Sequence, residues 1–331
     1  MDSRPQVQHL LDTLSWLGTI TLSRLSELGT DSTLVTASVY GSCRSGFYDP
    51  KSSDVDVVIR CPGPWDSWNS EKQTAFSKKF LQKLESVIHG HFTPEKAEQV
   101  VVNKWARIPV LYLYDVLKGN GHGGFKEVNV VFGFDAGLFN SEFLHAYANL
   151  DQQMFHVGQA VKSWAKQFDL VSSEKNSFCC ISSYAWVLMV IFYFQVRKDL
   201  PCLQTVLSDQ NELQGLVGRI GDKFYGQDEV RDTRYVDPKG WLKSIILNRE
   251  TIDELLEGFF VFYSRVFDPE TMTVDVRNPS RGMRERSYFD SSNGGRLFSI
   301  ADPFEDRNLV KGLTEKGWSK IKRAIGQAAG I

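Results

Sequence analysis

Hydrophobic residues in the first half of the chain follow helical and strand spacings in turn. Leucines at near-helical intervals in residues 8–28 predict an amphipathic helix, and residues 72–90 predict a second one. Alternation in "STLVTASVYGS" and "DVDVVIR" predicts two strands, "QVVVNKWARIPVLYLYDV" two more that break near Trp105, and "EVNVVFG" a fifth. The glycine-rich "KGNGHGG" favours a hairpin, because a phosphate-binding loop requires a helix directly after it.

The second half of the chain is mainly helical in its pattern. Helical spacing recurs over 140–170, 178–198, 251–267 and 313–328. The apolar run "WVLMVIFYF" at 186–194 is too short to span a membrane and predicts a buried core helix. Residues 200–250 are charged and irregular, which indicates a surface excursion. A mixed sheet followed by a helical half predicts an α+β protein of two domains, with a ligand in the cleft between them.

Composition and charge narrow the class of protein. A chain of 331 residues suggests two domains, and 42% hydrophobic with 24% charged residues is typical of a water-soluble globular protein. The net charge of -2 gives no general attraction for nucleic acid, so any RNA contact requires a local basic patch. The five cysteines form no CxxC pair, which indicates a reducing compartment. The N-terminus has no clear transit peptide.

The most informative stretch is "YGSCRSGFYDPKSSDVDVVIR", residues 40–60. Asp54 and Asp56 are two apart at the start of a strand, so both carboxylates project from one face, roughly 6.5 Å apart along the chain. Such close like charges favour a bound cation, and hard carboxylate oxygens suit Mg²⁺. Two such ions clamp the attacking and leaving oxygens of a phosphoryl transfer. Ser42 and nearby backbone N–H groups are then candidates to hold a triphosphate.

At this point the chain resembles the DNA polymerase β-like nucleotidyltransferases, in their poly(A) polymerase and terminal uridylyltransferase branch. The resemblance is carried, in order, by "GS…SDVDVVI", "LFNSEFLHAY", "VKSWAKQFDL", "ISSYAW" and "IADPFEDRNL". The small size and the "DPFED" form look most like the compact uridylyltransferases of trypanosomatids, including the mitochondrial ones associated with RNA editing.

The resemblance implies an architecture and an activity. It implies a mixed-sheet nucleotidyltransferase domain over 30–145, with an insertion at 62–100. It implies a helical poly(A)-polymerase-associated domain made of 1–29 and 146–331, with an excursion at 200–250. The expected reaction is template-independent addition of UMP from UTP to an RNA 3′-hydroxyl, with Mg²⁺ or Mn²⁺ as cofactor. The expected partners are the RNA 3′ end and an RNA-editing complex, the expected location is the mitochondrion, and no membrane is involved.

The resemblance also assigns roles to individual residues. The metal-binding pair is Asp54 and Asp56, and Arg107 faces the reacting phosphate or the RNA end. The phosphate contacts are Ser42, Ser53, Lys162, Lys166 and Ser183. The ribose contacts are Asn140 and Ser141, Tyr184 stacks on the base, and Asp302 and Glu305 accept from the uracil N3–H. Uracil presents a donor at N3 where cytosine presents an acceptor, so two acids there favour UTP, with ATP as the runner-up.

Plain structural roles remain open for several of these residues. Lys162 and Lys166 could form a solvated helix face, and Tyr184 could be core. Asn140 and Ser141 could be a helix N-cap. Asp302, which precedes a proline, could begin a turn.

One position departs from the family pattern. The strand "KEVNVVFG" has Asn129 where the pattern requires a third carboxylate. Asp135 is too far along the chain to replace it, and Glu127 has the right parity but begins roughly 6.5 Å away. The amide is either an engineered, inactivating isosteric replacement that traps nucleotide binding, or the mark of a naturally impaired protein that survives as a binding or scaffold component. The alternatives to a uridylyltransferase are a poly(A) polymerase and a catalytically silent RNA-binding or assembly subunit.

Overall fold

A computed structural model describes most of the chain, which forms two compact units. The first is Met1–His145 with Gly221–Arg231, and the second is Ala146–Ile220 with Asp232–Ile331. The described residues are 5–25, 35–49, 54–61, 68–91, 100–106, 108–116, 125–133, 135–171, 179–204, 217–218, 235–236, 250–284, 297–304 and 307–331.

The first unit is built on a five-stranded mixed sheet. Its strands are β1 (Thr36–Tyr40), β2 (Val55–Arg60), β3 (Val100–Asn103), β4 (Val110–Val116) and β5 (Phe125–Phe132), in the order β1-β2-β5-β4-β3. Strands β2 and β5 run parallel, and the other neighbours are antiparallel. All five predicted strands are present, and the predicted break near Trp105 falls between β3 and β4. The predicted α+β class is confirmed.

Two long helices share one hydrophobic core with the sheet. They are α1 (Pro5–Ser23) and α3 (Ser70–His91), and the short helix α2 (Gly41–Ser45) follows β1. Leu10, Leu14 and Leu17 of α1 are buried in this core. The ring of Phe80 on α3 lies 4.1 Å from that of Phe132 on β5, centroid to centroid.

This core corrects one expectation about domain limits. The family resemblance places residues 1–29 in the helical domain, but α1 packs on the sheet, because its leucine stripe is covered there. It also implies an insertion at 62–100, which stays a prediction. The helix α3 within that stretch contributes buried residues from Phe76 to Ile88 to the same core. Residues 62–67 and 92–99 lie outside the described residues.

The helix α4 (Asp135–Leu150) follows the sheet, and the boundary between the units falls within it. It begins five residues before Asn140, so the interpretation of Asn140 and Ser141 as an N-cap is wrong.

The second unit is helical. Its helices are α5 (Gln152–Gln167), α6 (Ser183–Val196), α7 (Ile252–Val261), α8 (Pro279–Gly282) and α9 (Glu315–Ala328), with a π-helical turn, Phe262–Val266, directly after α7. The residues 186–194 of α6 are each at most 3% exposed, which confirms the predicted core helix. None of the helices that the structure describes is long and apolar enough to cross a membrane.

Side-chain caps fix where these helices begin. The Asp151 carboxylate accepts from the Met154 backbone N–H ahead of α5, and Thr251 and Glu254 form a reciprocal capping box ahead of α7. Within the predicted excursion at 200–250 the structure describes a short strand pair, β6 (Val217–Gly218) with β7 (Tyr235–Val236). Most of that stretch lies outside the described residues.

Candidate active site

The acidic pair and Asn129 meet on one face of the sheet. In the parallel pairing of β2 with β5, Asp56 stands directly opposite Asn129. Asp54 is two residues before Asp56, and strand side chains alternate, so all three project from the same face. The position where the sequence pattern lacks its third acid is therefore the strand neighbour of Asp56. All three side chains are partly exposed.

The Asn129 amide bridges the two carboxylates. Its Nδ2 donates to Asp54 Oδ2 at 2.6 Å and to Asp56 Oδ1 at 3.2 Å. Its Oδ1 is buried and accepts no hydrogen bond. The Asn129 amide nitrogen thus contacts both carboxylates, which the sequence pattern predicts to bind a metal cation.

The turn between β1 and α2 requires glycine at position 41. Gly41 has a φ of 63°, in the left-handed region that disfavours side chains. A Cβ added there would overlap with Asp56 Oδ2, so only glycine lets the backbone approach this carboxylate. Ser42 is the next residue, partly exposed, at the second position of α2. The predicted phosphate contact of Ser42 stays a prediction.

Helix α4 holds this turn in place. Ser141 is 2% exposed, and its hydroxyl accepts from the Gly41 backbone N–H at 2.7 Å and donates to the Gly137 carbonyl. Arg44 of α2 forms an ion pair with Glu142 of α4. The Ser141 hydroxyl therefore positions the turn beside Asp56, a role that sequence reasoning missed. Asn140 is partly exposed, and the predicted ribose contacts of this pair stay predictions.

Tyr40 is a second residue that sequence reasoning did not single out. It pairs with Asp56 across β1 and β2 and shares its face. Burial, with the charges of Asp56 and Asp54, raises the pKa of Tyr40 well above its ordinary value, so its phenol stays neutral beside the acids. The signal was available in principle, because Tyr40 ends an alternating strand immediately before Gly41.

The oxygen donors at this site fit a divalent cation, with an amide in place of the third carboxylate. Two carboxylates and an amide offer the hard oxygen atoms that Mg²⁺ takes in proteins, with water and phosphate completing its shell. The amide oxygen of Asn129 has no hydrogen-bond partner to lose if it turns toward a cation. Among the described residues, no group of three or more His, Cys, Asp or Glu side chains could hold a metal ion, Glu127 included. The set therefore depends on the two aspartates and the amide.

The predicted phosphate lysines lie on α5 in the second unit. Lys162 and Lys166 are one helical turn apart on the same face, and Lys162 is 6% exposed. The neighbouring Val161 and Ala165 are fully buried, which anchors the helix. The alternative of a solvated lysine pair is therefore wrong for Lys162. Contact with a polyphosphate stays a prediction.

Ser183 and Tyr184 open α6. The N-cap is Ser182, whose hydroxyl accepts from the Ala185 N–H at 3.2 Å, so capping is not the role of Ser183. Tyr184 is partly exposed, which does not match the alternative of a plain core tyrosine. Base stacking by Tyr184 stays a prediction.

Asp302 has a structural role that the sequence offered only as an alternative. It is fully buried, its Oδ1 accepts from the Phe304 N–H at 2.9 Å, and its Oδ2 accepts from the Arg307 guanidinium at 2.9 and 3.0 Å. The bond two residues ahead is the turn that an Asp before proline favours. Its predicted contact with uracil is not supported by this geometry. Ser53, Arg107 and Glu305 lie outside the described residues.

Comparison with known proteins matches two stretches of the chain to family models. Residues 22–149 match the family model of the central palm domain of mitochondrial-like poly(A) RNA polymerase, and residues 251–308 match that of the Cid1 family poly A polymerase. Over these two stretches the chain is similar to nucleotidyltransferases of the poly(A) polymerase kind. The two matched stretches occur in chain order, with the palm match over the sheet and the Cid1-family match in the helical unit.

Solved structures of similar proteins share the fold of this chain. The Cid1 poly(U) polymerase with bound MgGTP superposes with a TM-score of 0.65 at 24% identity, over 96% of this chain and 86% of that one. A cytoplasmic RNA terminal U-transferase superposes with a TM-score of 0.67 at 21% identity, over 97% of this chain and 85% of that one. At these identities the likeness establishes the fold alone.

Curated relatives include uridylyltransferases and poly(A) polymerases. Terminal uridylyltransferase 4 of Homo sapiens is 24% identical over 87% of this chain, which spans only 16% of that protein. Terminal uridylyltransferase cid1 of Schizosaccharomyces pombe is 25% identical over 90% of this chain and 68% of that protein. The poly(A) RNA polymerase gld-2 homolog B of Drosophila melanogaster is 30% identical over 52% of this chain and 11% of that protein.

Proposed function

We propose that this chain is a template-independent RNA 3′-terminal nucleotidyltransferase whose transfer step is impaired by Asn129. The observation that carries the proposal is the convergence of Asp54, Asp56 and Asn129 on one sheet face, with Asn129 directly opposite Asp56. Relatives named terminal uridylyltransferase and poly(A) RNA polymerase support the same class of reaction.

The residues of the first unit have different roles in this proposal. Asp54 and Asp56 would hold Mg²⁺ or Mn²⁺, which supplies charge neutralisation for in-line phosphoryl transfer when it is bound. Gly41 keeps the backbone close to Asp56, and Ser141 fixes that turn. Asn129 has the shape of an aspartate but carries no negative charge and accepts no proton. It therefore leaves the 3′-hydroxyl without the group that would assist its deprotonation.

We propose UTP as the preferred substrate, with Lys162 and Lys166 on its phosphates and Tyr184 on its base. Support comes from the relatives named terminal uridylyltransferase, not from Asp302, whose carboxylate is bound to Arg307. The runner-up is a poly(A) polymerase that uses ATP, which the gld-2 relative favours. The compact trypanosomatid type, the mitochondrial location and an RNA-editing complex remain proposals from the sequence resemblance.

Primer extension tests the enzyme. A single-stranded RNA is incubated with each nucleoside triphosphate and Mg²⁺, beside the chain and its Asn129→Asp variant. The variant is expected to extend the RNA with UTP at least about 100-fold faster than the chain itself, the scale of general-base assistance. Equal rates for the two proteins would remove Asn129 as the cause of impairment. Extension with ATP alone would favour the poly(A) polymerase.

A catalytically silent RNA-binding subunit is the second candidate, and Asn129 is the observation that favours it. It predicts that neither the chain nor the Asn129→Asp variant extends RNA with any nucleotide, while both bind RNA.

A further inference from the structure

The strand pair β3–β4 carries large exposed hydrophobic side chains that the proposed chemistry does not use. Val101 is 48% exposed, Tyr114 is 37% exposed, and Trp105, on the loop after β3, is 86% exposed. Single exposed hydrophobic residues are ordinary, but several on one element mark a binding surface. The Lys104 ammonium lies 5.4 Å from the Trp105 ring centroid and adds a cation to this surface.

The strand register places two tyrosines beside the candidate active site. Tyr112 of β4 pairs with Asn129 of β5, and Tyr114 pairs with Glu127. Directly paired residues share a face, so both tyrosines project from the face that bears Asp54 and Asp56. Strands lie about 4.8 Å apart, so Tyr112 is one strand from Asn129 and two strands from Asp56.

The rings of Tyr112 and Tyr114 are stacked with nearly parallel planes, and we call this pair the tyrosine shelf. The ring planes are inclined by only 12°, with centroids 6.2 Å apart. Aromatic faces of this kind are where proteins that hold single-stranded nucleic acid stack its bases. Asp54, Asp56 and Glu127 on the same face disfavour phosphate, so the chemistry of the shelf suits a base and not the backbone.

We propose that the tyrosine shelf binds the last bases of a single-stranded RNA and presents its 3′-hydroxyl to Asp54, Asp56 and Asn129. This inference rests on the proposed function and names where its RNA substrate lies. Two strands, about 10 Å, separate the shelf from the acidic pair, and one strand, about 5 Å, separates it from Asn129; a nucleotide bridges such a distance between its base and its 3′-hydroxyl. The occupant is an RNA end because the shelf continues directly into the candidate active site.

A plain structural role is the competing explanation, since tyrosines are common in strands.

The test is the fluorescence anisotropy of a labelled single-stranded RNA, compared with the same RNA in which the last two nucleotides are abasic. The proteins are the chain, the Tyr112→Leu/Tyr114→Leu variant, the Tyr112→Phe/Tyr114→Phe variant, and Trp16→Leu. Trp16 is a 53% exposed aromatic residue of α1 and serves as the matched control. Circular dichroism and thermal melting verify that each variant folds.

The leucine variant is expected to bind intact RNA about tenfold more weakly, while the phenylalanine variant and Trp16→Leu stay within about twofold of the chain. Removing the terminal bases should weaken binding by the chain to the same extent, and should not weaken binding by the leucine variant further. The affinity for UTP should be the same in all four proteins.

Two results overturn the inference alone: the leucine variant binds RNA like the chain, or the chain binds intact and abasic RNA equally. If the leucine variant loses binding to a protein partner but not to RNA, the assignment of RNA as the occupant is wrong. Shelf-dependent RNA binding together with an Asn129→Asp variant that fails to extend RNA would overturn the enzyme and retain the shelf. Absence of any RNA binding by the chain would overturn both.

Discussion

The acids of the two units show how differently one residue type can be used. Asp54 and Asp56 are partly exposed, share a sheet face, and both accept a hydrogen bond from the Asn129 amide. Asp302 is fully buried, and both of its oxygens are satisfied by Arg307 and a backbone N–H. Two carboxylates that converge on one partly exposed face are suited to a metal ion, whereas a buried acid with a guanidinium partner stabilises a turn.

The largest loss of stability is expected when the buried Asp302 loses its partner Arg307. Arg307→Met should lower the free energy of unfolding by about 3 kcal/mol, because a fully buried carboxylate is left without its cation. Adding Asp302→Asn should recover part of this loss, since the amide oxygen still accepts from Phe304 and no charge remains. Urea denaturation measures both. A double variant less stable than Arg307→Met would contradict a structural role for the pair.

A smaller loss of stability is expected at Asp54 and Asp56, whose carboxylates Asn129 bridges. Without metal, Asn129→Asp should lower the free energy of unfolding by about 2 kcal/mol, because it replaces two hydrogen bonds to carboxylates with repulsion. Millimolar Mg²⁺ should restore most of the loss, since binding to the folded state alone stabilises it. Urea denaturation with Mg²⁺ or with EDTA tests this prediction.

The control for that experiment is Asn103→Asp, the same substitution on β3 of the same sheet. It should show no comparable response to Mg²⁺. An equal response in both variants would mean that the ion acts on the general charge of the unit and not on the site.

The smallest effect concerns the turn that approaches Asp56. Gly41→Ala should cost about 1 kcal/mol more than Gly330→Ala, although both glycines have positive φ. The reason is that the added methyl group overlaps with Asp56 at position 41 and meets open space at position 330. Thermal melting of the two variants gives the difference. Equal losses would show that the acidic pair can move away from the turn at no cost.

Much of the fold could be predicted because hydrophobic periodicity is local. The alternation in "DVDVVIR" and "EVNVVFG" gave β2 and β5, and the apolar run at 186–194 gave the core of α6. The domain assignment of residues 1–29 could not be read in the same way. The leucine stripe of α1 shows that a partner exists, but not which surface provides it.

In the candidate site, too, local spacing predicted some features and only the tertiary structure decided others. Strand parity alone put Asp54 and Asp56 on one face, and the acid missing from "KEVNVVFG" was visible as Asn129. The tertiary structure alone decided that Asn129 faces Asp56, that Tyr112 lies one strand further, and that Ser141 supports Gly41. The pairing of Asp302 with Arg307 likewise appeared only in the folded chain. The physical reason is that spacing fixes the direction of a side chain relative to its own element, whereas partners are set by strand register and by contacts between distant segments.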